Sequence, residues 1–374
     1  MRYTREDGCR AWLSRAGLSY RCLSRLLEEH EMFAEAVYED FLAEGEEMAE
    51  EYRIPPTALS RMRKYSQRQE MHQVLVAMQK KDMGILCPAD EKYPDALRSL
   101  EDQPLLLYYI GEPDCLMSRC ITMVGSRSAS MQALEATERF ARDFSAHGAT
   151  VVSGLAYGID SAAHRGCLSG GSPTAAVMAC GLDVAYPVGN EALRRELLDG
   201  GGVLLSEYAP GTPALGYNFP VRNRIMSGLS RAVVMMECRV QSGTMRTVNH
   251  ALEQGRDVYA WPGRIGTEWG EGAHQLLREG ALFFTESADI LKDLGWADEA
   301  GPSPEKRKKA KEQLPPMSEE QRRIMKALAL SEELSYDQLA QQTGLDPAAL
   351  SIHLTMLQLS GLIKSMPGKM FAKA

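Results

Sequence analysis

The sequence predicts an α/β protein with an extended Rossmann-like parallel sheet core, an N-terminal helical domain and a C-terminal winged-helix domain. Three observations support this fold class. Short apolar segments alternate with helical segments between about residues 81 and 295, which is typical of a parallel sheet covered on both faces. Residues 1–80 have helical periodicity throughout. Residues 317–374 contain three helical segments and a hairpin-like end, with Gly344 in a short turn between the second and third helices.

Four segments follow from this pattern. We predict a helical domain over 1–80 of the sterile-alpha-motif (SAM) or helix-hairpin-helix-like kind, a core over 81–296, a linker over 297–316 and a winged-helix domain over 317–374. In the first of these, residues 28–51 contain eleven acidic residues and no Lys or Arg. A solvated helical face over a small core explains that run, and an acidic interaction surface is the alternative.

The core segment contains seven predicted parallel strands, joined by helices. We place the strands at 121–124, 150–152, 175–178, 203–205, 232–236, 257–261 and 282–284. The clearest helices fall at 132–147, 160–168, 191–198 and 245–254. A lead-in helix at 92–97 and an added strand at 104–109 precede the first parallel strand.

The C-terminal region combines a predicted linker with the winged helix. Residues 297–316 are polar, basic and flanked by proline, which indicates a flexible linker with a solvated KRKKAK run. Helices are predicted at 319–329, 336–343 and 347–360. No arginine lies on the third helix, so base reading by arginine is not supported there. DNA contact through Lys364 and Lys369 and docking to a protein both remain open.

Composition indicates an ordinary globular protein, with 44% hydrophobic and 25% charged residues. No apolar run approaches the roughly 18 residues of a membrane span, and no secretory signal is visible, so we expect a cytoplasmic location. Eight scattered cysteines without a CxxC pair predict free thiols and no metal site. The net charge is −8, so a nucleic-acid site would have to be a local arginine-lined pocket.

Small and hydroxyl residues follow the predicted strands, where an open parallel sheet binds its ligands. Glycines let backbone amides approach a phosphate, hydroxyls donate hydrogen bonds and arginine adds charge. Several such loops on one sheet edge predict a phosphate or nucleotide site. The residues that we expect to contribute are Gly125, Ser126, Arg127, Ser242, Gly243 and Thr244.

The segment FPVRNR at 219–224 places an aromatic ring, two guanidiniums and an amide at the predicted start of a helix. Arginine forks match phosphate oxygens, a helix N-terminus favours an anion, and Phe219 can stack on a base. We count both Arg222 and Arg224 as phosphate-binding candidates and expect one of them to point into the pocket, with Asn223 fixing the loop backbone. Taken alone, the segment is better explained as a surface helix with salt-bridged arginines.

Other kinds of site find less support. The chain has no GxGxxG after the first strand and no GxxxxGK[ST], so neither a dinucleotide fingerprint nor a Walker A loop is present. Asp160 and His164 could pair across one helical turn, or could serve as a helix cap and a packed imidazole. Glu237 could act as a catalytic base or hold a neighbouring loop amide. We therefore expect no cofactor.

The motifs, in order, resemble the DNA-processing protein A family (DprA, also called Smf). They are VGSR at 124–127, SGLAYGIDSAAH at 153–164, ACGLDVAYP at 179–187, SEYAPG at 206–211, FPVRNRIMSGLS at 219–230, SGT at 242–244 and WPG at 261–263. The resemblance covers about residues 81–295. It implies that Gly125, Ser126 and Arg127 bind phosphate and that 219–224 belong to the DNA site.

The resemblance also implies a function. Family members are non-enzymatic cytoplasmic bacterial proteins, usually dimeric, that bind incoming single-stranded DNA in natural transformation and help to load the RecA recombinase. This chain departs from the family pattern at Tyr157, where many members carry Arg, which removes a phosphate contact and supplies a stacking ring instead. Cys238 and Arg246 are further departures, and residues 1–80 lack a clear helix-hairpin-helix glycine pair.

Two other functions remain to be weighed against DNA binding. A nucleotide-processing hydrolase similar to phosphoribohydrolases would use Glu237 beside the SGT loop, although the fuller Pro-Gly-Gly-x-Gly-Thr run of those enzymes is absent. A structural adaptor would use the acidic helices and the winged helix to dock proteins, and this role is compatible with DNA binding.

Overall fold

A computed structural model describes residues 3–297, 318–328, 334–359, 363–366 and 370–373. The chain divides into two compact units, Met1–Ser303 and Pro304–Ala374. The helical segment and the α/β sheet share the first unit, and the boundary at residue 80 stays a prediction. The predicted linker, apart from residue 297, lies outside the described residues, as do Ala329, Ser360 and Lys369.

A nine-stranded sheet forms the centre of the first unit, in the order β1-β2-β6-β5-β4-β3-β7-β8-β9. The strands are β1 (Met83–Leu86), β2 (Leu107–Gly111), β3 (Cys120–Val124), β4 (Thr150–Ser153), β5 (Thr174–Val177), β6 (Val203–Ser206), β7 (Ala232–Met235), β8 (Asp257–Ala260) and β9 (Leu282–Phe283). Strands β3 to β9 pair in parallel, and each matches its prediction to within one residue at either end. β2 is antiparallel to β6, and β1, which the sequence did not reveal, is antiparallel to β2.

Strands β3 to β7 are buried along their whole length because helices cover both faces of the sheet, whereas Leu282 and Phe283 of the edge strand β9 are exposed. These helices are α6 (Asp95–Arg98), α7 (Met131–Ala146), α8 (Ile159–Gly170), α9 (Glu191–Asp199), α10 (Asn218–Leu229), α11 (Gly243–Glu253), α12 (Glu268–Arg278) and α13 (Ser287–Asp293). The chain runs outward from β3 through β4, β5 and β6, then returns to the other side of β3 to add β7 and β8. This reversal opens a crevice at the carboxyl ends of β3 and β7, where such sheets bind ligands.

Five helices form the N-terminal bundle: α1 (Arg5–Arg15), α2 (Tyr20–Glu29), α3 (Ala34–Glu51), α4 (Pro56–Tyr65) and α5 (Arg68–Lys80). Trp12 lies at its centre, where its indole Nε1 donates to Met62 O at 2.9 Å. On α3, Val37 and Phe41 are buried, whereas Leu42 is exposed. The acidic residues of α3 are mostly exposed, which fits a solvated helical face.

Arg10 connects the bundle to the sheet. Its guanidinium donates to both carboxylate oxygens of Asp90, at 2.6 and 3.0 Å, and through Nε to Glu6 at 2.7 Å. Glu6 in turn accepts from the backbone amides of Ala34 and Glu35, at 3.0 and 2.8 Å. One buried cation therefore joins α1, the start of α3 and the loop after β1.

The second unit has the predicted winged-helix elements: α14 (Glu319–Leu328), β10 (Leu334–Ser335), α15 (Tyr336–Thr343), α16 (Pro347–Leu359), β11 (Ile363–Met366) and β12 (Met370–Lys373). The three strands pair antiparallel in the order β10-β12-β11. Gly344 ends α15 with a φ of 66°, a left-handed conformation that favours glycine. Leu339, Leu350 and Leu354 are buried in its core. No helix in the described parts of the chain is long and apolar enough to cross a membrane.

Replacing Arg10 should destabilise the first unit. In Arg10→Met the carboxylates of Asp90 and Glu6 lose their cation in a largely buried setting, so we expect the free energy of unfolding to fall by about 2 kcal/mol. Urea denaturation checks this value. Arg5→Ala is the matched control. Arg5 lies on α1 like Arg10, but it pairs at the surface with Glu35 and Glu39 of α3, at 3.0 Å in each case. It should change stability by less than about 0.5 kcal/mol, and equal losses would contradict this assignment.

Candidate functional site

A cavity of about 460 Å³ occupies the crevice at the strand-order reversal. Its walls come from the loops after β3 and β7 and from the N-terminal turns of α10, α11 and α12. Nine of the residues that the sequence singled out line it: Gly125, Ser126, Arg127, Phe219, Arg222, Asn223, Ser242, Gly243 and Thr244. Tyr157 and Arg224 do not.

The loop after β3 is held by hydrogen bonds on both sides. Ser126 N donates to Glu237 O at 2.6 Å, so this amide is used by the fold and is not available to a ligand. Ser126 Oγ accepts from Ser128 N at 3.0 Å, which leaves its hydroxyl hydrogen to donate. Thr244 Oγ1 donates to Gly125 O at 3.2 Å and ties this loop to α11. Arg127 is exposed beyond these contacts.

Two helices begin at the cavity without a side-chain N-cap, α10 and α11. Gly243 and Thr244, the first residues of α11, line the wall. Ser242 Oγ is buried there, next to the Cys238 side chain. Uncapped N-terminal amides carry partial positive charge and bind anions, so this wall suits a phosphate oxygen.

Arg222 is a buried cation in the floor of the site. Its Nη1 donates to Gly154 O at 3.2 Å and also to Val177 O, and its Nε donates to Asn223 Oδ1 at 3.2 Å. A Cβ on Gly154 would lie 2.5 Å from Nη2, so a larger residue there would displace the guanidinium. Burial lowers the pKa of Arg222, and the Asp160 charge opposes that shift. The guanidinium therefore supplies positive charge from a fixed position.

Asn223 sits between this cation and the opposite wall. Its Nδ2 donates to Gly243 O at 3.3 Å, while its Oδ1 accepts from Arg222. The side chain is buried. It thus joins the second turn of α10 to the start of α11, which is the loop-fixing role expected from the sequence.

Asp160 and His164 hold the loop after β4 and do not pair with each other. Asp160 Oδ2 accepts from Gly154 N at 3.2 Å and from Ala156 N at 3.3 Å, and burial raises its pKa. Leu155 N donates to His164 Nε2 at 3.3 Å. Because the Thr174 hydroxyl donates to Val151 O, it must accept from His164 Nδ1, at 2.7 Å. These bonds require the neutral imidazole.

Arg224 corrects the expectation that it holds phosphate. It is buried, its Nη2 donates to both oxygens of Glu207 at 2.7 and 2.9 Å, and its Nε lies 3.1 Å from Asp102. Burial alone would lower the pKa of Arg224, but the Glu207 carboxylate raises it. Residues i and i+2 of an α-helix point in directions about 200° apart, so residues 222 and 224 face opposite sides of α10. Only Arg222 faces the cavity.

Tyr157 also lies elsewhere. Its hydroxyl accepts from Gly189 N at 3.2 Å, and its half-exposed ring lines a neighbouring groove of about 340 Å³ between α7 and α8. The preceding turn directs this side chain away from the cavity, which residue order alone did not show.

Glu237 is engaged in structure. Its carboxylate accepts from Ser130 N at 2.9 Å and from Ser130 Oγ at 2.8 Å, and it does not line the cavity. Ser130 Oγ also caps α7 by accepting from Ala133 N at 3.2 Å. The loop-holding alternative therefore describes Glu237 better than the catalytic one.

Sequence reasoning missed several wall residues, among them Arg239 and Trp269. Arg239 Cζ lies 4.3 Å from the centre of the Trp269 ring. The available signal was Thr267, an N-cap residue followed by acidic residues, which marks the start of α12. Phe219, the other aromatic ring of the cavity, also has an arginine beside it. Arg127 Cζ lies 5.3 Å from the centre of the Phe219 ring, and the Tyr186 ring packs edge-on against Phe219 with the ring centres 5.5 Å apart.

The strand order, the cavity at its reversal and the uncapped helix ends define a Rossmann-like protein with a site suited to anions. Two family models match the chain: DNA recombination-mediator protein A over residues 84–295 and the DprA winged helix domain over residues 308–369. The chain therefore belongs to the DNA recombination-mediator protein A family (DprA/Smf), as its motifs predicted.

Individual relatives agree with this assignment. DNA processing protein DprA of Streptococcus pneumoniae is 41% identical over 204 residues, which are 54% of this chain and 72% of that protein. Protein Smf of Escherichia coli is 42% identical over 210 residues and is matched over 56% of its own length. The S. pneumoniae DprA crystal structure aligns with a TM-score of 0.66 at 32% identity, covering 78% of this chain and 99% of that one.

A second solved structure, DNA processing protein A from Helicobacter pylori, was described for its single-stranded DNA binding mode. It aligns with a TM-score of 0.52 at 27% identity and covers 57% of this chain and 95% of that chain. Together these matches confirm the predicted family and fold class.

Acid should destabilise the loop that frames the site. Burial lowers the pKa of His164 to about 3 from an ordinary 6.5, so between these values the unfolded chain holds a proton that the folded chain lacks. The stability that the neutral His164 side chain contributes is complete above about pH 6.5. Below that pH the free energy of unfolding falls by about 1.4 kcal/mol per pH unit. Urea denaturation from about pH 7.5 to 5 should show a weaker pH dependence for His164→Gln than for the wild type. Parallel curves would contradict the buried neutral state.

Proposed function

We propose that this chain is a non-enzymatic single-stranded DNA-binding protein of natural transformation and DNA recombination. The observation that carries the proposal is the cavity itself, because its walls combine hydrogen-bond donors suited to phosphate with an aromatic ring. Arg127, the Ser126 and Ser242 hydroxyls and the first amides of α11 would hold phosphate. Phe219 would stack on a base. The single-stranded DNA binding of the H. pylori relative supports the choice of polymer.

The local charge favours a phosphate although the chain is acidic overall. Arg127 makes no ion pair within the described residues, and it lies close enough to Arg222 to lower the pKa of that guanidinium. Two cations at one cavity repel each other unless an anion joins them. A phosphate would relieve this repulsion, so binding would be local and salt-dependent and would not require a basic face.

The contacts would be largely independent of base sequence. Phosphate donors and π-faces act on every nucleotide alike, and only single strands expose their bases for stacking. We therefore propose a preference for single strands with weak base selectivity, which suits a protein that protects incoming strands of any sequence.

An enzymatic role would require a free carboxylate or another activated group at the cavity. Glu237 has both oxygens engaged by Ser130 and lies outside the wall, and the Asp160 carboxylate is buried against backbone amides. These positions support a binding role in preference to a phosphoribohydrolase-like one. Release of free base from nucleoside monophosphates by the purified chain would overturn the non-enzymatic proposal.

The relationship to DprA supports two further proposals, that the chain is a homodimer and that it helps to load RecA. Molar mass in solution tests the first. For the second, RecA at a limiting concentration should form filaments faster on strands bound by this chain than on bare strands. An unchanged or slower nucleation rate would contradict RecA loading and leave the DNA-binding proposal intact.

Arg127→Ala should weaken binding to all oligonucleotides similarly. Losing one phosphate contact on a single strand should flatten the slope of log affinity against log salt by about 0.7. Fluorescence anisotropy with labelled oligo(dT) at several salt concentrations measures both quantities. Arg142→Ala, which removes an exposed arginine bonded to Ser169 outside the cavity, is the matched control and should leave the slope unchanged. An unchanged slope in Arg127→Ala would remove this residue from the site.

A further inference from the structure

We propose that Trp269, with Arg239 and Glu268, forms a second base-stacking position in the cavity, distinct from Phe219. The proposal rests on the single-stranded DNA function proposed above and adds the way in which the ligand is arranged. No motif pointed to these residues: Glu268 and Trp269 come from a helix that the sequence did not reveal, α12, and Arg239 comes from the loop after β7.

Trp269 differs from the other three tryptophans in its packing. The chain has four tryptophans. Trp12 and Trp296 are buried in apolar clusters, and Trp261 packs against one of them. Trp269 belongs to none of the apolar clusters formed by the described residues, and it faces the cavity. A large ring that lines a cavity without joining the core leaves area that a ligand can cover.

The ring is held in place by the fold. Thr267 caps α12 by accepting from Gly270 N at 3.3 Å, and Gly272 N donates to Cys238 O at 3.1 Å. A Cβ on Gly272 would lie 2.5 Å from Cys238 Sγ, so glycine lets α12 pack directly on the segment that carries Arg239. The indole and the guanidinium therefore come from two elements whose backbones are in contact.

The charge at this position differs from the charge at Phe219. Arg239 Nη2 lies 2.9 Å from Glu268 Oε2, so the guanidinium over Trp269 is balanced by a carboxylate. Arg127, over Phe219, has no ion pair among the described residues. The excess positive charge lies on the Arg127 side, and a carboxylate beside Trp269 repels phosphate. Trp269 would therefore receive a base, and the phosphate would lie towards Arg127.

Two rings in one cavity favour a polymer over a mononucleotide. A strand whose phosphate lies near Arg127 would place one base at Phe219 and another at Trp269. A single nucleotide could use only one of these rings. Loss of one stacked base weakens binding by roughly tenfold.

Variants at residue 269 test the proposal by anisotropy with labelled oligo(dT). Trp269→Leu keeps apolar bulk and should bind roughly tenfold more weakly with an unchanged salt slope, because no phosphate contact is lost. Trp269→Phe should recover most of the affinity. Ile265→Ala is the control: this residue is 87% exposed, lies on the preceding loop and does not line the cavity. Thermal unfolding of each variant verifies the fold.

Tryptophan emission supplies an independent readout. Oligo(dT) should quench the emission of the wild type, and Trp269→Phe should bind while losing most of that quenching. Wild-type binding together with unchanged affinity in Trp269→Leu would overturn the inference and leave the proposed function standing. A slope that flattens in Trp269→Leu would place a phosphate at this position and overturn it too. A wild type that does not bind oligo(dT) would remove the proposed function and this inference together.

Discussion

The burial of one guanidinium organises the candidate site. Arg222 lies in the floor of the crevice and donates to carbonyls at the end of β5 and in the loop after β4. A buried charge is tolerated only where hydrogen bonds and neighbouring charges compensate its desolvation. Gly154 provides the space, and Asp160 provides the nearest opposite charge while also holding the same loop. Replacing any of these groups would disturb the strand ends on which the cavity is built.

The two arginines of the FPVRNR segment show how one helix separates structural charge from ligand-facing charge. Arg224 is matched by Glu207 and Asp102 on the protein side of α10, whereas Arg222 faces the cavity. Because of this separation, a chain with a negative net charge can still present positive charge to the anionic ligand proposed above. Arg224 is neutralised within the protein, whereas Arg222 and Arg127 bring positive charge to the point where strand ends, helix starts and the β3 loop converge.

Sequence periodicity and turn chemistry predicted the parallel strands because buried strands are short, apolar and followed by small residues. They also identified most of the cavity wall, since carboxyl ends of parallel strands meet at one edge. Arg224 and Tyr157 were misplaced because the direction of a side chain depends on helical phase and on the preceding turn. β1 was missed because its short run, MGIL, gives no periodicity. Trp269 was missed because its contribution depends on a helix packing through Gly272, which residue spacing does not reveal.

The hydrogen bonds between the loops have a further consequence for rate and entropy. Thr244 bonds to Gly125 O, Asn223 to Gly243 O and Ser126 N to Glu237 O, so each wall of the cavity is fastened to the next before any ligand arrives. Little conformational freedom remains for the protein to lose on association. In the proposed complex the ordering cost would fall mainly on the flexible strand. Association would then be limited by encounter and electrostatic steering in preference to rearrangement of the pocket, and residence time would follow from the number of nucleotides bound.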